Sequence, residues 1–249
     1  MNINIQFSFV INNPLDFENE VTINETKLKT AFADNTIHIN NNWSDAVNAG
    51  ICTGSGNYTD PYIIMDLEID GGGSGNCILI ENSNAYFRIE NCKLYNAGYS
   101  GALKLDHTEN GLLINNDCSN NNDDGITLYY SKNITVLNNV INNNDIGILV
   151  RNGDSNAVIN NTAMFCNRGI CLSYTLHNNI SGNILNNNKG SGLYLIHSSF
   201  NNVDKNIANF NDYEGFRLDS SNYNEFRKNE AKENKGMFIY IIINGFSIN

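Results

Sequence analysis

Three residues of this chain are the candidates for acid–base chemistry at one site: Glu81, Lys104 and Asp106. Glycoside hydrolysis uses two carboxyl groups about 5–10 Å apart, so Glu81 and Asp106 qualify only if the fold places them side by side. Asp219 would lie roughly 24 Å from Asp106 at the spacing of stacked strands, so these two cannot form the pair. Glu81 and Asp106, with Lys104 beside them, are therefore the candidate catalytic group, and the alternative is that they are ordinary solvated side chains.

A second set of residues is suited to binding without chemistry. Tyrosine rings can stack on sugar rings, and arginine or aspartate side chains can hydrogen-bond to hydroxyl groups. The candidate binding residues are Tyr129, Arg151, Tyr194, Arg217 and Asp219. Plain solvated side chains on a sheet remain the alternative for this set as well.

A repeat of 22 or 23 residues determines which of these side chains can meet. Its clearest marker is the series Asn116, Asn139, Asn161, Asn183, Asn206 and Asn229. A second series is Asn110, Asn133, Asn156, Asn178, Asn201 and Asn224, and a third is Asn121, Asn144, Cys166, Asn188, Asn211 and Asn234. Self-similarity at a fixed period predicts a solenoid.

Each repeat predicts two short strands and a weaker third extended segment. Alternation within Gly125-Ile126-Thr127-Leu128 points Ile126 and Leu128 inward and Thr127 outward. Further apolar columns surround the first asparagine series, at Val136 and at Ile141 in this unit. Three inward columns joined by bends predict a coil with three sides, and the candidate residues above fall on the outward face of the first strand.

The asparagines have a structural explanation. Stacked coils lie about 4.8 Å apart, so identical side chains in successive coils can hydrogen-bond to each other. An amide carries donors and acceptors together, and asparagine tolerates the left-handed backbone of bends. We therefore expect the first series to be a buried structural ladder rather than a catalytic feature.

The two ends of the chain differ from the repeats. Residues 3–11 alternate between apolar and polar and predict a strand within an N-terminal cap region, residues 1–36. Residues 43–48 predict a short helix, and residues 62–70 predict two strands of the first coil. The apolar run from Met237 to Phe246 predicts a final coil, with Met237, Ile239 and Ile241 inward. We expect a partner, a second copy or further sequence to cover that end, unless residues 244–249 fold back over it.

Composition excludes several classes of function. The formal net charge of −11 and a pI near 4.7 argue against a nucleic-acid groove and against a membrane-surface role. No apolar run is long enough to span a membrane as a helix. The N-terminus lacks the features of a signal peptide. The six cysteines form no CxxC pair, and we interpret them as buried thiols, with disulfides as the alternative.

The repeated Gly-Ile-x-Leu pattern and the Asn-Asn doublets resemble right-handed parallel β-helix repeats of the NosD-like group and of carbohydrate-binding proteins and sugar hydrolases with the pectin-lyase-like fold. The lead-in Thr53-Gly54-Ser55-Gly56-Asn57 resembles the first-coil entry of surface proteins in this group. The resemblance implies an all-β fold, and together with the right-handed crossover rule it predicts a right-handed coil. We expect residues 37–249 to form one single-stranded right-handed parallel β-helix of about seven or eight coils.

The chemistry of these families transfers poorly to this chain. Copper handling, associated with NosD, requires clustered Met, His or Cys residues, and the four histidines and the methionines are scattered. Asp123 and Asp124 resemble one piece of a polygalacturonase site, but the accompanying His-Gly and Arg-x-Lys are missing, so a bend is the favoured interpretation. We expect no metal and no cofactor.

The sequence leaves the function open among three hypotheses. The first is a non-catalytic scaffold or glycan-binding solenoid, and the second is a polysaccharide lyase or glycoside hydrolase. The third is a fibre or partner-dependent segment of a larger assembly. The resemblance implies an extracellular or cell-surface location, while the N-terminus leaves a cytoplasmic location open.

Overall fold

The computed structural model describes residues 29–30 and 36–242, which form a parallel β-helix of about eight turns. The strand expected at residues 3–11 and the segment 244–249 lie outside the described residues, as does most of the expected cap region. Every pairing between strands is parallel, as expected when each coil repeats the direction of the one before it. Among the described residues, no helix is long and apolar enough to cross a membrane.

Sheet 1 contains the first strand of each coil, and its outward face carries the candidate residues. Its nine strands, in spatial order, are β2 (Ile37–Asn40), β5 (Ile78–Glu81), β8 (Leu103–Asp106), β10 (Ile126–Tyr129), β12 (Ile146–Arg151), β14 (Arg168–Ser173), β16 (Leu193–Ile196), β18 (Phe216–Asp219) and β20 (Ile239–Ile242).

Sheet 2 contains the second strand of each coil. Its eight strands are β3 (Tyr62–Met65), β6 (Phe87–Glu90), β9 (Gly111–Ile114), β11 (Thr135–Leu137), β13 (Ala157–Ile159), β15 (Asn179–Ser181), β17 (Asn202–Asp204) and β19 (Glu225–Arg227).

The third side of the coil is weaker, as the sequence predicts. Sheet 3 has only β1 (Lys29–Thr30), β4 (Leu67–Asp70) and β7 (Lys93–Tyr95). Later coils continue this side through single parallel bridges such as Asp117 to Val140. The described part of the chain has one helix, α1 (Trp43–Asn48), which matches the predicted helix. Trp43 is buried, and its indole N–H donates to Ser83 Oγ at 2.8 Å.

The inward columns form one continuous apolar core. Ile126, Leu128, Val136 and Ile141 have no exposed surface, and their counterparts in neighbouring coils are buried in the same way. The small residue before each first strand is required by close packing of the coils. A Cβ atom at Gly147 would lie 2.5 Å from the carbonyl oxygen of the glycine one coil later, so no larger residue fits there without a shift.

The first asparagine series lies in a single buried column beside this core. Asn139 Oδ1 accepts hydrogen bonds from the backbone N–H of Asn116 at 2.8 Å and from its Nδ2 at 3.0 Å. The Asn139 Nδ2 group donates to the Leu113 carbonyl and to Asn161 Oδ1, each at 2.9 Å. The same pattern continues through Asn183, Asn206 and Asn229. Each amide therefore joins its own coil to the coils on both sides.

The second asparagine series divides into two columns, which corrects the sequence interpretation. Asn110 and Asn133 lie in a bend with positive φ angles. Asn156 is aligned instead with Ile134, whose N–H donates to Asn156 Oδ1 at 2.9 Å. From Asn156 onward a second ladder runs through Asn178 to the end of the series. The register changes because the intervening turn is one residue shorter, so a constant interval between asparagines does not guarantee one column.

At the C-terminal end, β20 continues sheet 1. Ile239 and Ile241 are aligned with the inward residues of β18, and Tyr240 is aligned with outward Arg217. Met237, expected to point inward, is 63% exposed, and Ile241 is 51% exposed although it is aligned with buried Leu218.

Candidate functional site

The register of sheet 1 places the two candidate catalytic carboxylates next to each other. Glu81 at the end of β5 and Asp106 at the end of β8 are paired residues on adjacent strands. Both side chains point outward, because they follow the buried residues Ile80 and Leu105. Two carboxylates that are distant in sequence therefore share one surface.

Each of these carboxylates is held by a basic side chain. His38 Nε2 lies 2.6 Å from Glu81 Oε2, while Lys104 Nζ lies 3.1 Å and His107 Nδ1 lies 2.6 Å from the two oxygens of Asp106. We call these five residues the carboxylate cluster. The Lys104 and Asp106 side chains retain only 19% and 16% of their accessible surface, so this pair is partly withdrawn from water.

Tyr129 adjoins the carboxylate cluster on the next strand. Lys104 Nζ lies 5.6 Å from the centre of the Tyr129 ring, a cation–π distance. Tyr130 contacts the Tyr129 ring edge-on and stacks on His107 with ring centres 4.9 Å apart. Tyr130 is 48% exposed and stands at a positive φ of 47°, an uncommon conformation for a bulky residue. An aromatic surface thus borders the acidic groups.

A second group lies four to five strands further along the same face. Tyr194 donates its hydroxyl hydrogen to Asp219 Oδ2 at 2.6 Å, and Arg217 Nη2 donates to the same oxygen at 3.0 Å. The guanidinium carbons of Arg168 and Arg217 lie 5.2 and 5.1 Å from the centre of the Tyr194 ring. These two arginines belong to the strands on either side of β16. Together with Arg151, these residues form what we call the arginine cluster.

The protonation states in the arginine cluster follow from these contacts. Burial raises the pKa of Tyr194 to about 12, and the hydrogen bond to Asp219 adds to this effect. The hydrogen bond to Asp219 also raises the pKa of the Arg217 guanidinium above its ordinary value. Tyr194 is therefore a neutral donor near neutral pH and is unsuited to act as a base.

Arg151, on β12, is the member of the arginine cluster nearest to the carboxylate cluster. It is exposed and is paired across strands with Tyr129 on one side and Ser173 on the other. Cys171, at an outward position nearby, is only 5% exposed. Burial raises the pKa of the Cys171 thiol to about 12, although the charges of Arg168 and Arg151 oppose this shift. The thiol is therefore an inert part of the surface, and all six cysteines are free and buried.

Four contributors were not among the sequence candidates: His38, His107, Tyr130 and Arg168. His38 belongs to the face because β2 pairs with β5, although a long first turn containing α1 separates them. The alternation of residues 37–40 is the signal that could have assigned it to sheet 1. Arg168 joins the face because β14 begins before the Gly-Ile-x-Leu segment that marks the repeat.

The bend after the third side contains three carboxylates. Asp123, Asp124 and Asp145 each offer an oxygen within 4.8 Å of the others. Burial raises the pKa of Asp124 to about 7, and the neighbouring charge of Asp123 contributes to the shift. Asp124 accepts a hydrogen bond from Thr127 at 3.0 Å, and Asp123 accepts one from the backbone of Ser100. These contacts give the aspartates a role within the bend.

The chain matches two family models, each over just more than half of its length. Residues 28–164 match the right-handed β-helix region, and residues 119–247 match the periplasmic copper-binding protein NosD. The chain belongs to the NosD-like right-handed β-helix proteins. This membership also establishes the predicted right-handed sense of the coil. No curated protein sequence matches the chain.

Solved structures with the same fold include polysaccharide-active enzymes. The A-module of mannuronan C-5 epimerase AlgE4 from Azotobacter vinelandii is 13% identical, with a TM-score of 0.59 over 74% of this chain and 64% of that one. The periplasmic alginate epimerase AlgG is 17% identical, with a TM-score of 0.53 over 73% of this chain and 50% of that one. The enzymatically active domain of bacteriophage CBA120 tailspike protein 2 is 11% identical, with a TM-score of 0.50 over 70% and 34%. The chain thus spans half to just under two thirds of the epimerase structures, and the likeness establishes the fold alone.

The donor atoms of this chain do not fit the copper chemistry in the family description. Copper sites in proteins use clustered thiolate, thioether or imidazole ligands. Within residues 36–242, the single group of three or more His, Cys, Asp or Glu side chains close enough to share an ion is the all-aspartate group at the bend. Oxygen ligands of this kind suit hard cations rather than copper. We therefore assign no copper step to this chain.

Proposed function

We propose that this chain is a carbohydrate-binding β-helix that uses the outward face of sheet 1 and acts outside the cytoplasm. The observation that carries the proposal is the register of this face, which places tyrosine, histidine, lysine, arginine and carboxylate side chains in two adjoining clusters on a rigid surface. Glycan sites combine aromatic surface with precisely placed polar groups. The neighbouring folds named for alginate, mannuronan and tailspike activity support a carbohydrate ligand, and the periplasmic family description supports the location.

The two clusters contribute differently to binding. Among the described residues one cationic group, that of Lys104, lies over the Tyr129 ring, so a sugar ring can approach Tyr129 from the solvent side. The faces of Tyr194 are flanked by Arg168 and Arg217. Stacking on a sugar is therefore assigned to Tyr129 and Tyr130, and hydrogen bonding is assigned to the arginine cluster.

Binding is tested by presenting the chain to an array of polysaccharides and measuring the affinity of each ligand by calorimetry. Tyr129→Ala should weaken binding about ten-fold, because a stacked aromatic contact contributes about 0.5–1.5 kcal/mol beyond buried area. The control is Tyr58→Ala, which removes an exposed tyrosine that contacts Tyr86 at the start of β6 on sheet 2. Equal affinities for wild type and Tyr129→Ala would dismiss this face as the binding site.

Hydrolysis or elimination of a polysaccharide is the second candidate function. It is favoured by the pairing of Glu81 with Asp106 and by the basic partner of each carboxylate. Such an arrangement can supply an acid and a base on one side of a bound sugar. If this function is present, Glu81→Gln and Asp106→Asn should each abolish the release of reducing ends or unsaturated products. If the wild-type chain bound the polysaccharide and formed no product, the result would support the non-catalytic function.

A further inference from the structure

We infer that the arginine cluster is a subsite for an acidic group, carboxylate or sulfate, carried by the bound glycan. This inference rests on the proposed glycan-binding function and names the chemical class of ligand for one part of the same face. It follows from the charge distribution, the contacts of Tyr194 and the contrast with the carboxylate cluster.

The charge distribution is uneven for so acidic a chain. The net charge is −11 and the sequence contains five arginines, of which Arg151, Arg168 and Arg217 lie on the outward face of sheet 1. Among the described residues, Asp219 is the one carboxylate that forms an ion pair with any of these three. Glu214 is also near Arg217, and it accepts a hydrogen bond from a neighbouring serine hydroxyl. The cluster therefore contains more guanidinium than carboxylate groups, which favours an anionic ligand.

The contacts of Tyr194 determine which groups of the arginine cluster can bind a ligand. Its ring lies 5.2 Å from the guanidinium carbon of Arg168 and 5.1 Å from that of Arg217, and its hydroxyl group is bonded to Asp219. A ring covered in this way cannot stack on a sugar, but it holds the guanidinium planes in place. Preorganised guanidinium groups bind carboxylate and sulfate oxygens through paired N–H donors.

Arg168 and Arg151 are the arginines with free donors. Arg217 donates its Nε and Nη2 hydrogens to Asp219. Within the described part of the chain, neither Arg168 nor Arg151 makes a side-chain hydrogen bond or an ion pair to another residue. Arg151 is exposed and Arg168 is half-buried, so both can reach a ligand on the face.

The carboxylate cluster differs from the arginine cluster in that its cationic groups face carboxylates of the same cluster. Its lysine and its two histidines are each within 3.1 Å of a carboxylate oxygen, so its cationic groups are already paired. Arg151 on β12 and Arg168 on β14 lie two and three strands from Asp106 on β8, which is roughly 10 and 14 Å along the solenoid axis. A glycan lying across the strands would therefore place hydroxyl groups at one end and an acidic group at the other.

The test compares ligands that differ only in charge. Calorimetry would measure wild-type affinity for oligogalacturonate and for its fully methyl-esterified form, and for sulfated dextran against plain dextran. We expect an acidic ligand to bind about ten-fold more tightly than its neutral counterpart, and this preference should shrink as salt is raised. Preference for the uronate pair or for the sulfated pair identifies which acidic group the subsite takes.

Variants then locate the subsite. The double variant Arg151→Gln/Arg168→Gln should lose the preference for the acidic ligand, because its affinity for the acidic ligand should fall much more than its affinity for the neutral one, and it should unfold at the wild-type temperature. The control is the pair Arg227→Gln/Lys228→Gln, which removes the same number of positive charges at the end of β19 on sheet 2. Equal wild-type affinity for acidic and neutral ligands, or equal losses in the control and the double variant, would overturn the inference and leave glycan binding intact. No binding to any of the four ligands would overturn the proposed function as well.

Discussion

Replacing Asn161 by leucine tests whether the asparagine ladder holds the coils together. Asn161 has no exposed surface. Its Oδ1 accepts hydrogen bonds from the backbone N–H and the Nδ2 of Asn139, both at 2.9 Å. Its Nδ2 donates to the carbonyl of Val136 at 2.9 Å and to Asn183 Oδ1 at 3.1 Å. The backbone N–H of Asn161, which also donates to Asn183, is unaffected by the substitution.

The magnitude follows from counting the groups that lose every partner. Leucine leaves the buried backbone N–H of Asn139 without an acceptor and removes a donor from the Val136 carbonyl, while Asn139 Nδ2 keeps other acceptors. Each buried polar group left unsatisfied costs about 1–3 kcal/mol. The substitution should therefore destabilise the fold by about 1–3 kcal/mol, because one buried group is left without any partner. For a chain of this size, this corresponds to a fall in Tm of about 2–12 °C.

Urea unfolding followed by circular dichroism measures this change. The matched control is Asn222→Leu, the same substitution at an exposed position whose side chain makes no hydrogen bond to the described residues. It should change stability by less than about 0.5 kcal/mol. If Asn161→Leu and Asn222→Leu had equal effects, the hydrogen bonds of the ladder would not contribute measurably to stability.

Three further predictions concern other parts of the chain. Cys166→Asn should stabilise the fold by about 1 kcal/mol in urea unfolding, because an amide can accept the backbone N–H of Asn144 and complete the third ladder; a lower stability would show that the site cannot hold an amide. Asp124 has a pKa raised to about 7 by burial, so its contribution to stability is full below about pH 4 and is lost as pH rises through 7. The free energy of unfolding of Asp124→Asn should therefore rise by up to about 4 kcal/mol relative to that of wild type between pH 4 and 8. If the stabilities of the two proteins changed in parallel with pH, the pKa shift of Asp124 would be refuted. Lys104→Met should weaken glycan binding with little change in Tm, since Lys104 is a partly exposed surface residue; unchanged affinity would remove it from the site.

Much of the fold was predictable because the same alternation of apolar and polar residues recurs in successive coils and indicates the same burial each time. Ile126 and Leu128 alternate with Thr127, and each neighbouring coil repeats the pattern, so the inward columns and the parallel stacking follow directly. A change in the length of one turn occurs only once, so the other coils do not help to predict it. The one-residue shortening between Asn133 and Asn156 leaves the asparagine interval unchanged, and it moves Asn156 into another column.

The candidate site was less predictable for the same reason. Glu81 and Asp106 could be placed together from the approximate period, and the structure gives them adjacent positions. His38 was missed because the first turn has an irregular length, although residues 37–40 alternate, and Arg168 was missed because it precedes the repeated motif. The direction in which a long side chain leans, such as Arg168 toward Tyr194, depends on packing with neighbouring coils rather than on sequence position.

The central claim is that the outward face of sheet 1 binds a carbohydrate. A crystal structure of the chain with a bound oligosaccharide, chosen as the tightest ligand from the array, tests this claim most directly. We predict density for sugar rings across the strands β8 to β18, with one ring against Tyr129 and an acidic group within hydrogen-bonding distance of Arg168. Sugar density on sheet 2 or at the bends, with the face of sheet 1 free of ligand, would contradict the claim.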